Sequence, residues 1–159
     1  MIEITFEDFH EYNFHDEGFV LYVLKNGLDD ALYVGISRNN IWSRWFAFGG
    51  HMIWDGQHII GQSAVGQKIV DQLPDSLKWK IQLWMLQDCI EFCKDILPPL
   101  RQYTIEFVEP LMIKKLSPIL NGSYNLHPGK DTTPPKSKKE IEHEKFLDKM
   151  YKKIFEKKT

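Results

Sequence analysis

Gly18-Phe-Val-Leu-Tyr-Val-Leu24 and Ala31-Leu-Tyr-Val-Gly-Ile-Ser37 are the two stretches that decide how this chain folds. Both are dense in β-branched and aromatic residues, which suit a pleated, buried surface. Between them, Asn26-Gly27 followed by Leu28-Asp29-Asp30 reads as a hairpin connection, so the two strands should pair antiparallel. Further along, Leu77, Trp79, Ile81, Leu83 and Met85 alternate with Lys78, Lys80 and Gln82, the pattern of a third strand with one wet face. Residues 1–17 carry many acids and suggest no more than a short leading strand or a turn.

Helices are expected around these strands. Ser37-Arg-Asn-Asn40 offers capping side chains before a short helix, Ile41 to Ala47, that Gly49-Gly50 ends. Residues 51–62 read as loop, Ser63 to Leu73 as a helix stopped by Pro74, and residues 87–97 as a helical turn before Pro98-Pro99. From Tyr103 to Leu116 the spacing is helical, with Ile105, Glu109, Met112, Ile113 and Leu116 on one face. Glu109 is the only charge on that face. Pro110 either kinks this helix or starts its second half with Glu109 as cap. The expected fold is α+β: a small three-stranded sheet, mixed or antiparallel, flanked by helices. It fills residues 1–127, with a polar linker over 128–138 and a charged helix or tail over 139–159.

Composition narrows the function classes. With 43% apolar residues in 159, the chain can bury an ordinary core. No window approaches eighteen consecutive apolar residues, and the acidic start lacks the basic and apolar regions of a secretory signal. A cytoplasmic protein with no membrane partner is expected. Cys89 and Cys93 are too few for a zinc site and read as buried, reduced thiols. The net charge of −2 is unevenly spread, with ten Lys and Arg against sixteen acids before residue 130 and ten Lys against six acids from there on. An acidic body attracts no phosphate by its bulk field, so a nucleic-acid partner would need a local groove or the basic tail.

Val20-Leu21-Tyr22 and Tyr33-Val34-Gly35 stand eleven residues apart, tyrosine to tyrosine, across the hairpin turn. Arg44 follows on the next helix. Much later comes Glu109-Pro-Leu-Met-Ile-Lys-Lys-Leu-Ser-Pro118-Ile-Leu-Asn121, closed by Gly122-Ser-Tyr124-Asn125. In order and spacing this series resembles the GIY-YIG nuclease family, over roughly residues 18–126. Val20 stands where the first motif has its glycine. Ile36 stands where a polar or basic residue often follows the second motif, leaving Ser37 or Arg38 to substitute. Phe48 stands where a histidine often follows the arginine, and His51 is the looser replacement three residues on.

The resemblance implies a DNA endonuclease that hydrolyses phosphodiesters with a single Mg²⁺ or Mn²⁺ ion. Glu109 would bind the ion, with the remaining ligands mostly water and phosphate, as Mg²⁺ prefers. Arg44 would offer its fork to two phosphate oxygens. One of Tyr22 and Tyr33 would take part in proton transfer and the other would position the phosphate, with neither assignment favoured. Asn125, or failing that Asn121, would orient the glutamate or a phosphate, and Ser37, Arg38 and Asn121 would contact nucleic acid. With no second recognition domain, the chain would select a DNA structure or gain specificity as a homodimer. The competing reading is a module of the same fold with impaired chemistry that binds nucleic acid or a protein partner. The aromatic stretch Trp42, Trp45, Phe48 and Trp54 fits either base stacking or core packing.

Overall fold

Four strands, not three, make the main sheet. A computed structural model describes residues 1–12, 18–38, 40–47, 49–54, 59–121 and 138–156; Phe48 and Asn125 lie outside the described residues. Strand β1 (Ile2–Thr5) leads into helix α1 (Phe6–Tyr12), and the expected hairpin follows as β2 (Leu21–Lys25) and β3 (Ala31–Ile36). Next come α2 (Ile41–Phe46), the short strands β4 (Met52–Trp54) and β5 (Ile59–Gly61), and α3 (Ala64–Asp71). A 3-10 turn (Asp75–Lys78) precedes β6 (Lys80–Trp84), after which α4 (Leu86–Phe92), α5 (Ile105–Leu116) and α6 (Lys138–Glu156) complete the chain.

The sheet runs β1-β6-β2-β3, every neighbouring pair antiparallel. The extra strand is the leading segment, whose Ile2 to Thr5 pair with Leu83 to Lys80. Met52 to Trp54 and Gly61 to Ile59 pair as a separate ribbon where a loop was expected. Three-residue strands carry too little periodicity to stand out from a loop in sequence.

Apolar residues pack on both faces of the sheet, and of the wet face expected of the third strand Lys78 and Lys80 are exposed but Gln82 is buried. On one face Tyr22, Leu24, Ile81 and Leu83 pack with Phe6, Phe9, Trp45, Met52 and Ile69. On the other, Leu21, Val23, Val34 and Trp84 pack with Cys89, Cys93, Val108, Met112 and Ile113. Gln82 is buried because its polar groups are satisfied: its amide donates to Glu3 at 2.7 Å and its carbonyl accepts from the Trp84 indole at 3.2 Å. Met85 falls outside the strand and is exposed. Cys89 and Cys93 are free and buried as expected, and burial pushes the Cys89 thiol up to about 12, so neither is a reactive thiolate.

Helix α5 begins at Thr104, whose side chain accepts from the Phe107 amide, and runs unbroken through Pro110. Glu109 is therefore no cap. The buried stripe is Val108, Met112 and Ile113, with Ile105 and Leu116 packed beside it, and Glu109 stands half-buried at its margin. After α5 the chain runs along the free edge of β3. The Ile119 and Leu120 amides donate to the Ala31 and Leu32 carbonyls, and the Asn121 side chain takes both the amide (2.8 Å) and the carbonyl (2.7 Å) of Val34. This segment satisfies edge groups that would otherwise invite pairing with another chain.

The charged C-terminal helix α6 packs against α3 and β5, with Lys139, His143 and Leu147 facing Val70, Leu73 and Pro74. Among the described residues no helix is long and apolar enough to cross a membrane.

Candidate active site

The hairpin register explains why a tyrosine on β2 and a glycine on β3 belong together. Tyr22 lies opposite Gly35, and Leu24 lies opposite Tyr33. Opposed residues share a face, so Tyr22, Tyr33 and Gly35 all look toward α2. The Tyr22 ring lies directly over Gly35, where a Cβ would collide with the phenol carbon and oxygen. Only glycine leaves that space. Gly35→Ala is therefore expected to cost about 1–3 kcal/mol through overpacking and to displace the Tyr22 hydroxyl, a loss readable as a lowered urea midpoint.

Helix α2 supplies the next two groups. Asn40 caps it by accepting from the Ser43 amide at 2.7 Å. Ile41 and Trp45, four apart, face the core, and this leaves Arg44 exposed at the rim. The chain then doubles back: the Gly50 amide donates to Ala47 O at 2.8 Å and the His51 amide to Arg44 O at 3.1 Å. A Cβ at Gly50 would lie 2.8–2.9 Å from the carbonyls of Arg44, Trp45 and Ala47, so the turn demands glycine. It tucks His51 beneath Trp45, ring centroids 4.6 Å apart.

His51 is buried and bonded at both ring nitrogens. Nε2 lies 2.7 Å from the Tyr22 hydroxyl, and Nδ1 lies 2.8 Å from the Ser63 hydroxyl. The Tyr33 ring is 5.5 Å from the His51 ring and 6.0 Å from that of Tyr22. Tyr22 is fully buried, whereas Tyr33 is half-buried. The side chains thus follow one another from half-buried Tyr33 through buried Tyr22 and His51 to half-buried Ser63. The Ser63 part was missed in the sequence, which marked that residue only as the start of a helix; nothing there reveals a partner twelve residues upstream.

Electrostatics ties Arg44 and Glu109 to the same place. Burial raises the Tyr22 hydroxyl well above the usual phenol range, and Tyr33 beside it adds to the rise. Arg44 works against this as a nearby cation and a hydrogen-bond donor, while Glu109 adds to the rise. Burial also raises Tyr33, opposed by Arg44 and reinforced by Glu109. Helix α5 packs along β3, and Glu109 on it is close enough to act on both tyrosines as an anion. Burial, and then repulsion from Glu106, raises the Glu109 carboxyl. No hydrogen bond or ion pair is made to that carboxylate among the described residues. Glu106 itself pairs with Arg38 at 3.2 Å in solvent.

His51 is lowered to about 4, first by burial and then by the Arg44 cation, so it is neutral at pH 7. The unfolded chain takes up this proton near pH 6.5 and the folded chain only near 4. Stability from this group is therefore complete above pH 6.5 and is lost as pH falls from 6.5 to 4. The loss is expected to be on the order of 3 kcal/mol, checked by urea unfolding across that window, and to shrink in His51→Gln.

The structure thus brings together Tyr22, Tyr33, Arg44, His51 and Glu109. Ser37 donates to the Asn40 carbonyl at 3.0 Å and lines, with Asn40 and Ser43, an open crevice beside Arg44. Arg38 lies nearby with Glu106, and the contacts of Asn121 are both to Val34. Of the aromatic stretch, Trp45 is core and Trp42 is half-buried, its indole donating to His10 O at 2.9 Å. No protein-family model, curated protein or solved structure matches the chain.

Proposed function

We propose that this protein is a metal-dependent endonuclease that hydrolyses phosphodiester bonds in DNA. The observation that carries the reading is the convergence of one exposed guanidinium, one half-buried carboxylate without a partner among the described residues and two tyrosine hydroxyls backed by a neutral histidine. A half-buried, unpaired carboxylate costs free energy unless something cationic offsets it. Among the described residues there is no group of three or more His, Cys, Asp or Glu able to hold a metal. That donor set suits a single Mg²⁺ or Mn²⁺ held by Glu109 with water and phosphate oxygens as its other ligands, and does not suit a two-metal site. When bound, the ion would offset charge building on the phosphate and on the departing 3′ oxygen.

The protein's own groups do the rest. Arg44 presents two donors to non-bridging oxygens of the scissile phosphate. The attacking water forms the new P–O bond as the bond to the 3′ oxygen breaks; the water's proton passes to the Tyr33 hydroxyl, and the departing 3′ oxygen takes one from solvent. Tyr33 hands its own proton to Tyr22, and Tyr22 passes one to His51 Nε2. Depth supports this order, because Tyr33 meets solvent and Tyr22 does not. A relay also avoids a free phenolate, which burial disfavours at both tyrosines. Arg44 is one of the two causes that keep His51 a weak base. A phosphate on Arg44 offsets that cation and makes His51 more basic when substrate is present.

The second reading, a binding module with impaired chemistry, draws on the acid excess before residue 130. Supercoiled plasmid and branched DNA incubated with Mg²⁺ or Mn²⁺ separate the two. Cleavage that EDTA stops and added metal restores is the expected result. Binding without cleavage on every substrate would favour the module instead.

A further inference from the structure

We infer that Ser63 is a positioning residue for His51: its hydroxyl oxygen accepts the Nδ1 proton and thereby holds the imidazole in the tautomer whose bare Nε2 receives the proton of Tyr22. The catalytic consequence rests on the nuclease reading, but the tautomer does not.

Three pieces of geometry point this way. First, both ring nitrogens of His51 are engaged at short distance, Nε2 with Tyr22 at 2.7 Å and Nδ1 with Ser63 at 2.8 Å, so one proton must choose between two partners. Second, of the two hydroxyls facing the ring, the phenol of Tyr22 is the stronger acid and so the better donor, and Ser63 is the weaker. The Tyr22 proton is best placed on a strong acceptor, and a neutral imidazole nitrogen accepts far better than a phenol oxygen does. Nε2 is then bare and the ring proton sits on Nδ1. Third, Ser63 Oγ can accept from Nδ1–H without giving up its helix cap. It caps α3 by accepting from the Gly66 amide at 3.1 Å, and its second lone pair is free for Nδ1–H.

The backbone keeps the two residues in register. A Cβ on Gly66 would run into the His51 carbonyl, so the first turn of α3 lies directly on the His51 backbone. The Gln62 amide donates to that same carbonyl at 2.7 Å. The titratable and charged groups facing His51 are Tyr22 from β2, Tyr33 from β3 and Arg44 from α2. Among them, with Ser63, only Ser63 touches Nδ1. Ser63 thus serves two elements at once, capping α3 and holding the imidazole so that one ring nitrogen carries the proton.

The test is ¹⁵N NMR of the His51 ring at pH 7 in the wild type, Ser63→Gly and Ser63→Thr. Glycine is a tolerable N-cap, so Ser63→Gly keeps α3 while removing the Nδ1 partner; threonine restores the hydroxyl. The wild type and Ser63→Thr are expected to show a protonated Nδ1 and a bare Nε2, and Ser63→Gly a mixture of tautomers. On a cleavable DNA, kcat is expected to fall about 10–100-fold, the range for losing an orienting partner, in Ser63→Gly, with KM unchanged and recovery in Ser63→Thr. A protonated Nε2 in the wild type overturns the inference, as does an unchanged tautomer in Ser63→Gly. Because the ring nitrogens report without substrate, a wild type that cuts no DNA would count against the nuclease reading and leave the tautomer result standing.

Discussion

Glu109→Gln is expected to abolish metal-dependent cleavage while leaving the fold as stable as before or more so. Glutamine keeps the shape of the side chain but not the charge that would hold the ion. A bound ion contributes several kcal/mol to stabilising the transition state, and at 1.36 kcal/mol for each factor of ten this becomes a loss of about a thousandfold or more. Stability should move the other way. The Glu109 carboxyl is raised by burial and by Glu106, so its folded form resists ionisation more than the unfolded chain does. A group raised in this way penalises the folded state at neutral pH and not below its unfolded pKa. The gain from Glu109→Gln should therefore appear at pH 7 and vanish near pH 3, as read by urea unfolding at both. A stability loss at pH 7 would mean that the carboxylate has a structural partner.

Tyr22→Phe should show the opposite pairing, with both activity and stability reduced. Removing one oxygen cuts the relay between Tyr33 and His51 and leaves Nε2 of a buried histidine without its partner. Positioned proton transfer contributes about 10²–10⁴-fold, and an unsatisfied buried polar group costs about 1–3 kcal/mol. The aromatic packing against Trp45, at 5.4 Å between ring centroids, stays intact, so the variant should fold. Single-turnover cleavage and urea unfolding on the same preparation check both halves. Unchanged cleavage would remove Tyr22 from the proton path.

Much of the site could be read in the sequence because its parts lie on strongly patterned elements. The hairpin bearing Tyr22 and Tyr33, the capped helix bearing Arg44 and the helix bearing Glu109 each announce themselves by periodicity and capping residues. Their approach in space could be expected only from the order and spacing of the motifs. His51 was a looser expectation, since its place depends on the tight return at Gly49-Gly50, which sequence shows only as the end of a helix. The β4–β5 ribbon was invisible because two strands of three residues have no period to read. Gln82 misled for a different reason. A polar residue on an alternating strand looks wet, and here Glu3 and Trp84 satisfy it in the interior. The face of α5 was legible from its spacing, since Ile105, Met112, Ile113 and Leu116 do pack inward, but Val108 was left out of it, and the break offered at Pro110 is not there. Arg38, Ser37 and Asn121 illustrate a further limit: the sequence offered them as nucleic-acid contacts, yet hydrogen-bond partners within the fold depend on tertiary approach, as Val34 does for Asn121.

The central claim is that the cluster around Glu109 hydrolyses phosphodiesters. It is tested most directly by a time course on one DNA substrate with Mg²⁺, comparing wild type and Glu109→Gln purified identically and matched for folded protein. The wild type is expected to cut and leave a free 3′ hydroxyl, and Glu109→Gln is expected not to cut over the same period. Equal cleavage by the two proteins, or none by the wild type on any DNA it binds, would contradict the claim.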